Sequence, residues 1–439
     1  MASLFNHHPF ICSLLIIYII STTTTTTNAA ATFRPKALLL TVSKDSSTLQ
    51  YTTKLIQRTP PVPVTLTLDL GTPSTWVLCG NRYVSSTYRP ATCGSTQCTL
   101  ANSKICRTCP PPARPGCNNN TCRSLSLNNP FTNITPRRGG ELATDIVRIN
   151  STDGSNPGQL VTIPKYLFVC APKSLLQGLA KGVSGVAGLG KSKLSLPCQF
   201  SSAFRIPQKF ALCLAPLREN GVVFIGDGPY NFSPNIDVTT LLSYTPLIHN
   251  PARSGNYFIG VQGIKVGGKE VPSINKYLLS INRKGSGGTM ISVNHPYTLL
   301  ETSIYKAVTT AFDQQLRNSS FPARRVNPVA PFKLCYDPTS LSFTRIGPVV
   351  PDIDLVLQSE DVFWRIAATN SIVRASDNAY CLGLMDGGKN PRTSILIGGF
   401  QIEDNLLEFD LNKSRLGFTS SLIYDRIRCS FFNFTSNVL

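Results

Sequence analysis

Seven cysteines, Cys79, Cys93, Cys98, Cys106, Cys109, Cys117 and Cys122, crowd the 44 residues from 79 to 122 of a 439-residue chain. A stretch this dense in sulfur predicts a loop region stapled by disulfides, and disulfides need an oxidising compartment. Cys106-Arg107-Thr108-Cys109 followed by Cys117 and Cys122 also has the spacing of a zinc knuckle, and an oxidising route favours bridges over that reading. The leader agrees with secretion. Residues 11–20 form a short apolar core, a threonine run follows, and Ala29-Ala30-Ala31 offers a cleavage site before Thr32, so residues 1–31 read as a signal peptide. No Lys or Arg precedes the apolar core. The competing signal anchor would need about twice as many apolar residues to span a bilayer, and no later stretch is long enough, so no membrane span is expected.

Removing Cys12 with the leader leaves thirteen cysteines, Cys170, Cys198, Cys213, Cys335, Cys381 and Cys429 being the remainder, and an odd number leaves one thiol over or pairs it outside the chain. Seven Asn-x-Ser/Thr sequons, at Asn119, Asn133, Asn150, Asn231, Asn318, Asn412 and Asn433, fit a glycoprotein of the extracellular space or cell wall. Of four histidines, His7 and His8 lie in the leader, and His249 with His295 is too few for a multi-His metal site. No cofactor is called for either. Lys plus Arg number 42 against 23 Asp plus Glu, a formal charge of +19. A secreted route and the lack of an aromatic-basic motif argue against nucleic acid. Acidic cell-wall polysaccharide and acidic secreted enzymes fit the charge better, beside the plain reading of solubility and ionic retention.

The patterning is mainly β. Val64-Thr65-Leu66-Thr67-Leu68-Asp69-Leu70-Gly71 alternates as a half-buried strand and puts Asp69 on the face of Thr65 and Thr67 before a Gly71-Thr72-Pro73 turn. Val186-Ala187-Gly188-Leu189-Gly190 is an apolar pair running into glycine, where another backbone can approach closely. The second half repeats the plan with Gly288-Thr289-Met290-Ile291-Ser292-Val293-Asn294 and Ile395-Leu396-Ile397-Gly398-Gly399. Asp69 to Gly188 spans 119 positions and Ser292 to Gly398 spans 106, so two similar β lobes are expected, 32–245 with the Cys-rich insert and 246–439, with a helix from Thr302 to Phe312.

Asp69-Leu70-Gly71, Trp76-Val77 and the segment from Phe409 to Phe418 resemble the pepsin-like aspartic proteinases of plants along essentially the whole mature chain. Ser85-Ser86-Thr87-Tyr88-Arg89-Pro90, Pro115-Gly116-Cys117-Asn118-Asn119-Asn120-Thr121-Cys122 and Cys429 through Phe434-Thr435-Ser436 resemble, more closely, the basic 7S globulin and extracellular dermal glycoprotein group, which includes inhibitors of xyloglucan-specific endoglucanases. The resemblance implies a bilobal, disulfide-rich pepsin-like fold. It also implies that Cys198, where the group has Ser, is the unpaired thiol, that the other twelve cysteines form six bridges, and that Cys335 pairs with Cys381.

Aspartic proteolysis needs two carboxylates sharing a proton across a water. Asp69 stands at the first position, but Ser292-Val293-Asn294 occupies the second motif, Leu70 replaces the bracing hydroxyl residue, and Asn128-Asn129-Pro130-Phe131-Thr132-Asn133 supplies no flap tyrosine. A hydroxyl cannot serve as the anionic partner, so no dyad is expected and Asp69 reads as the cap of its turn. Asp352 and Asp354 read as turn or surface residues. In the endoglucanase inhibitors, two arginines on C-terminal-lobe loops enter the enzyme cleft, and the motifs align Arg325 and Arg426 with them, flanked by Arg324 and Arg428. A guanidinium matches the paired carboxylates of a retaining glycosidase with several directed donors. The resemblance therefore implies an inhibitor of a secreted microbial glycoside hydrolase, most closely a family 12 xyloglucan-degrading endoglucanase. The alternatives are a xylanase inhibitor, a storage or peptide-binding globulin, and a residual protease.

Overall fold

The structure, a computed structural model, describes residues 33–124, 127–137, 139–232 and 236–436; the leader, Cys12 and the cleavage site before Thr32 lie outside the described residues. Strand accounts for 39% of the chain and helix for 15%, which makes the fold mainly β. Residues Pro35–Leu439 pack as one compact unit. The longest pairing joins the antiparallel strands Gly140–Thr152 and Pro157–Ala171.

The internal repeat is visible as two parallel pairings. Val62–Asp69 runs beside Gly185–Gly188 with Asp69 opposite Gly188, and Thr289–Ile291 runs beside Ile395–Ile397 with Ile291 opposite Ile397. The leucine–threonine alternation holds at first, with Val64 buried and Thr65 partly exposed, but Thr67 is fully buried because the parallel partner covers the strand's second face. Glycine is required at both crossing points. A Cβ on Gly188 would stand 2.5 Å from the Thr72 carbonyl oxygen, and one on Gly398 would stand 2.3 Å from the Tyr297 carbonyl carbon.

Two sheets frame the second half. One contains Gly263–Val266, Lys269–Glu270, Ile353–Ser359 and Val362–Ile366; the other contains Arg325–Val326, Cys335–Tyr336, Ala379–Leu382 and Ile372–Ser376. The helix Thr302–Arg317 packs against Gly263–Val266 of the former and reaches the latter through Phe312 on Tyr336 and Asp313 on Arg325; Glu301 caps it, its carboxylate accepting from the Ser303 N–H at 2.7 Å. Ile304, Tyr305, Val308, Phe312, Asp313 and Leu316 form its buried face, and the last two carry the helix one turn past the expected end at Phe312.

All six bridges are present: Cys79–Cys170, Cys93–Cys106, Cys98–Cys122, Cys109–Cys117, Cys213–Cys429 and Cys335–Cys381. Cys106, Cys109, Cys117 and Cys122 are thereby committed to sulfur, so the zinc reading fails, and among the described residues no group of three potential ligands could hold a metal ion. Cys198 is the free cysteine among the described residues, buried on the helix Leu196–Phe204, and burial pushes its thiol up despite the Ser195 hydroxyl. A small apolar role follows. The motifs that carry the resemblance hold the Cys-rich loops to two buried carboxylates. Tyr83, Ser85 and Thr87 donate to Asp145, while Tyr88 and the backbone N–H groups of Gly116 and Asn118 donate to Glu141.

Asp404 organises the C-terminal segment. Its carboxylate accepts from the Cys429 N–H at 2.9 Å and lies 3.6 Å from Arg428, and its carbonyl accepts from the Leu422 N–H at 2.8 Å. Burial pushes this carboxyl up to about 6, against the Cys429 hydrogen bond and the Arg428 charge. A folded-state value above the unfolded one means stability that is complete below about pH 4 and is lost as pH rises through 6. Asp404→Asn keeps the acceptor and tolerates the left-handed backbone at this residue, where φ is 50°. The variant should gain on the order of 2–3 kcal/mol relative to the parent between pH 4 and 7, because that ionisation is gone. Denaturant unfolding at both pH values checks this; parallel pH profiles for parent and variant would contradict it. The difference between proteins isolates Asp404 from Glu403, which burial also raises.

Candidate functional site

Where the first parallel pair ends, the chain turns at Gly71-Thr72 and folds the Asp69 carboxylate back onto its own backbone. Oδ2 accepts from the Gly71 N–H at 3.0 Å and the Thr72 N–H at 2.5 Å, and the side chain is buried. Burial pushes the carboxyl up while these hydrogen bonds pull against it. At the second crossing, the Ser292 N–H donates to Ile397 O at 3.0 Å, the Ser292 hydroxyl donates to Asn294 Oδ1, and Asn294 Nδ2 donates to Pro130 O at 3.3 Å. Ser292 is therefore spent on its neighbour, and Asn294 reaches across to the segment where a flap tyrosine was missing in the sequence.

A cavity of about 440 Å³ opens here, lined among others by Asp69, Asn128, Phe131, Arg253, Asn294 and His295. Burial pushes the His295 imidazole down. Asp69 is the one carboxylate among the described lining residues, and with the Asn294 amide and the lowered His295 imidazole it makes a polar site without two acids to share a proton. Asp352 and Asp354 are not catalytic candidates in this geometry. Asp354 is a correction to the surface reading: it is buried in its strand and held by Arg365 through both oxygens, at 2.7 and 3.0 Å.

Arg325 opens the short strand Arg325–Val326, opposite Tyr336. Its Nε donates to Asp313 Oδ1 at 2.6 Å; Asp313, 1% exposed, also takes Arg317 at 2.7 Å and the Tyr336 hydroxyl at 3.2 Å. Burial alone would raise Asp313, but the Arg325 hydrogen bond and the two guanidinium charges hold it below the usual value. One negative charge against two positive leaves the cluster cationic, with the half-exposed Arg325 fixed through Nε and its terminal nitrogens without an acceptor among the described residues. The sequence reasoning missed Asp313, whose signal is a carboxylate on the apolar face of an amphipathic helix.

Arg426 ends the turn Leu422–Asp425 with φ 60°, exposed, and makes no ion pair among the described residues. Its neighbours differ. Arg324 is tied to Asp337 and Arg428 to Asp404, so both flanking arginines are already engaged. The sequons also separate. Asn119, Asn133, Asn318, Asn412 and Asn433 are exposed, whereas Asn150 and Asn231 are partly buried and donate to Gly158 O and Ser155 Oγ.

Residues 51–227 match the family model described as xylanase inhibitor N-terminal, and residues 256–420 match its C-terminal counterpart. A protein of Nicotiana benthamiana named as a probable aspartic proteinase is 53% identical over 92% of this chain and 93% of its own length. The basic 7S globulin of Glycine max is 39% identical over 91% of this chain and 92% of its own length. A crystal structure of edgp superposes with a TM-score of 0.89 at 51% identity, covering 92% of this chain and 99% of that one. The aspartic proteinase of Irpex lacteus, 16% identical, covers 88% of this chain and 97% of its own with a TM-score of 0.54, which establishes the pepsin-like fold alone. With both family models matched and these relatives spanning nearly its whole length, the chain belongs to the xylanase-inhibitor-type family of pepsin-like proteins that includes the basic 7S globulins.

Proposed function

We propose that this chain is a secreted inhibitor of microbial glycoside hydrolases, directed at a family 12 xyloglucan-specific endo-β-1,4-glucanase, acting through Arg325 and Arg426 and without protease activity. The observation that carries the reading is the fixed guanidinium of Arg325. A side chain already held by Asp313 gives up little freedom on entering a cleft, and its remaining N–H groups suit a pair of carboxylates. Arg426, exposed and without an ion pair among the described residues, is the second candidate donor set. Six disulfides support an extracellular location such as the apoplast and cell wall, and the five exposed sequons are those that accommodate glycans without breaking a hydrogen bond.

A xylanase is the second target to test, because the matched family models are described as xylanase inhibitors. Titration into family 12 endoglucanase and xylanase assays separates the two. Inhibition of neither enzyme would leave the globulin-like reading.

A guanidinium desolvated in a cleft against carboxylates is worth roughly 2–4 kcal/mol on truncation, whereas a rim charge is worth less than about 1. Arg325→Ala or Arg426→Ala should therefore weaken inhibition by roughly 30-fold or more, and Arg426→Lys should recover only part of it. If net basicity were the cause, Lys would restore full potency and moderate salt would abolish inhibition. Full potency in the double Ala variant would remove both residues from the mechanism.

Proteolysis is the competing activity suggested by the name of the Nicotiana relative. With Ser292 bound to Asn294 opposite a lone Asp69, no cleavage of protein substrates is expected between about pH 3 and 6. Ser292→Asp alone should not create it either, because Asn294 and the missing flap tyrosine remain. Pepstatin-sensitive cleavage abolished by Asp69→Asn would overturn this.

A further inference from the structure

Beside the central cavity lies a smaller one of about 130 Å³, walled by Leu299, Leu300, Pro391 and Leu396 and by two arginines, Arg253 and Arg392. Arg253 is half-buried and Arg392 is exposed, and among the described residues neither makes an ion pair. This departs from the chain's practice elsewhere. The partly buried Arg365 and Arg415 each face a buried carboxylate, Asp354 and Asp410. Arg253 Nη1 instead donates to Thr393 Oγ1 at 2.9 Å, which fixes the fork, and more weakly to Met290 Sδ at 3.9 Å, while its Nε and Nη2 groups have no acceptor among the described residues. Burial and the neighbouring Arg392 both push its guanidinium down from the ordinary value, so the pair of like charges is uncompensated as it stands.

We propose that the Arg253–Arg392 cavity binds a carboxylate with a small apolar body, either a free branched-chain carboxylic acid or the C-terminal residue of a peptide. Two guanidiniums present directed donors to one carboxylate, and three leucines with a proline face the rest of the ligand. The volume suits a body of about four to six carbons, since a cavity of about 150 Å³ holds benzene. A sulfate or phosphate, charged on every side, would set oxygens against the leucine walls and desolve them without partners. Arg253 and Leu396 also line the larger cavity, so a peptide lying there would end at the arginines, while Asp69 disfavours a carboxylate at the opposite wall. The proposal is independent of the inhibitory reading, because it uses neither Arg325 nor Arg426.

Calorimetric titration of the mature full chain tests it with 4-methylpentanoate, its neutral amide, Ala-Ala-Leu with a free or an amidated C-terminus, and sulfate. The free acid or the free-terminus peptide should bind, and the tighter of the two identifies the source. Both amides should lose binding by roughly tenfold or more, as should Arg392→Gln, whose exposed position spares the fold. Arg253→Gln is informative where its thermal unfolding matches the parent, and Arg392→Gln decides the matter otherwise. Equal binding of acid and amide, unchanged affinity in Arg392→Gln, sulfate binding as tightly as the carboxylates, or no binding by either carboxylate would each overturn it.

Discussion

The pairing of Lys209–Cys213 with Leu406–Asp410 is the contact on which the rest of this molecule depends, because it places strands nearly two hundred residues apart in one sheet. Phe210 stacks on Phe409 with ring centroids 4.7 Å apart, and Tyr257 closes on Phe409 at 4.5 Å while its hydroxyl donates to Leu189 O at 2.7 Å. That hydroxyl reaches the residue immediately after the Gly188 crossing, so the aromatic junction and the central turns are one structure. Cys213–Cys429 then closes a loop of 216 residues at the edge of the same sheet, where a cross-link most reduces the freedom of the unfolded chain. A frame built this way holds its surface turns in fixed relation.

At both crossings the backbones run so close that a Cβ on the glycine would collide, and Asp69 at the first is satisfied by its own turn. A buried carboxylate with a raised affinity for protons and two backbone donors caps its turn. The guanidinium groups carry the chemical interest instead. Arg325 is positioned by Asp313, and Arg253 is positioned by Thr393 beside an uncompensated Arg392.

Much of this was legible in the residues. The strand into Asp69, its glycine partner and their second-half counterparts follow from alternation and from glycine where backbones touch, and the odd cysteine was found by comparison with its group. What escaped was charge placed inside. Thr67 and Asp354 read as exposed because polar residues alternate toward solvent in a half-covered strand, whereas parallel pairing and an Arg365 clamp cover them here. Asp313 was hidden by the same rule, since a carboxylate on an apolar helix face breaks the periodicity that would reveal its role. Arg253 sits in a turn with no local pattern, and only the folded cavity shows that it lacks a counter-charge.

In the proposed inhibitory mode, a held guanidinium meets a target carboxylate directly. A double-mutant cycle between Arg325→Ala in this chain and removal of the nucleophilic carboxylate in the inhibited hydrolase measures that contact without counting general charge. A coupling of about 1.5 kcal/mol or more is the predicted result, as for close charge pairs in other interfaces. Effects that add to within about 0.5 kcal/mol would contradict it, because independent sites behave that way.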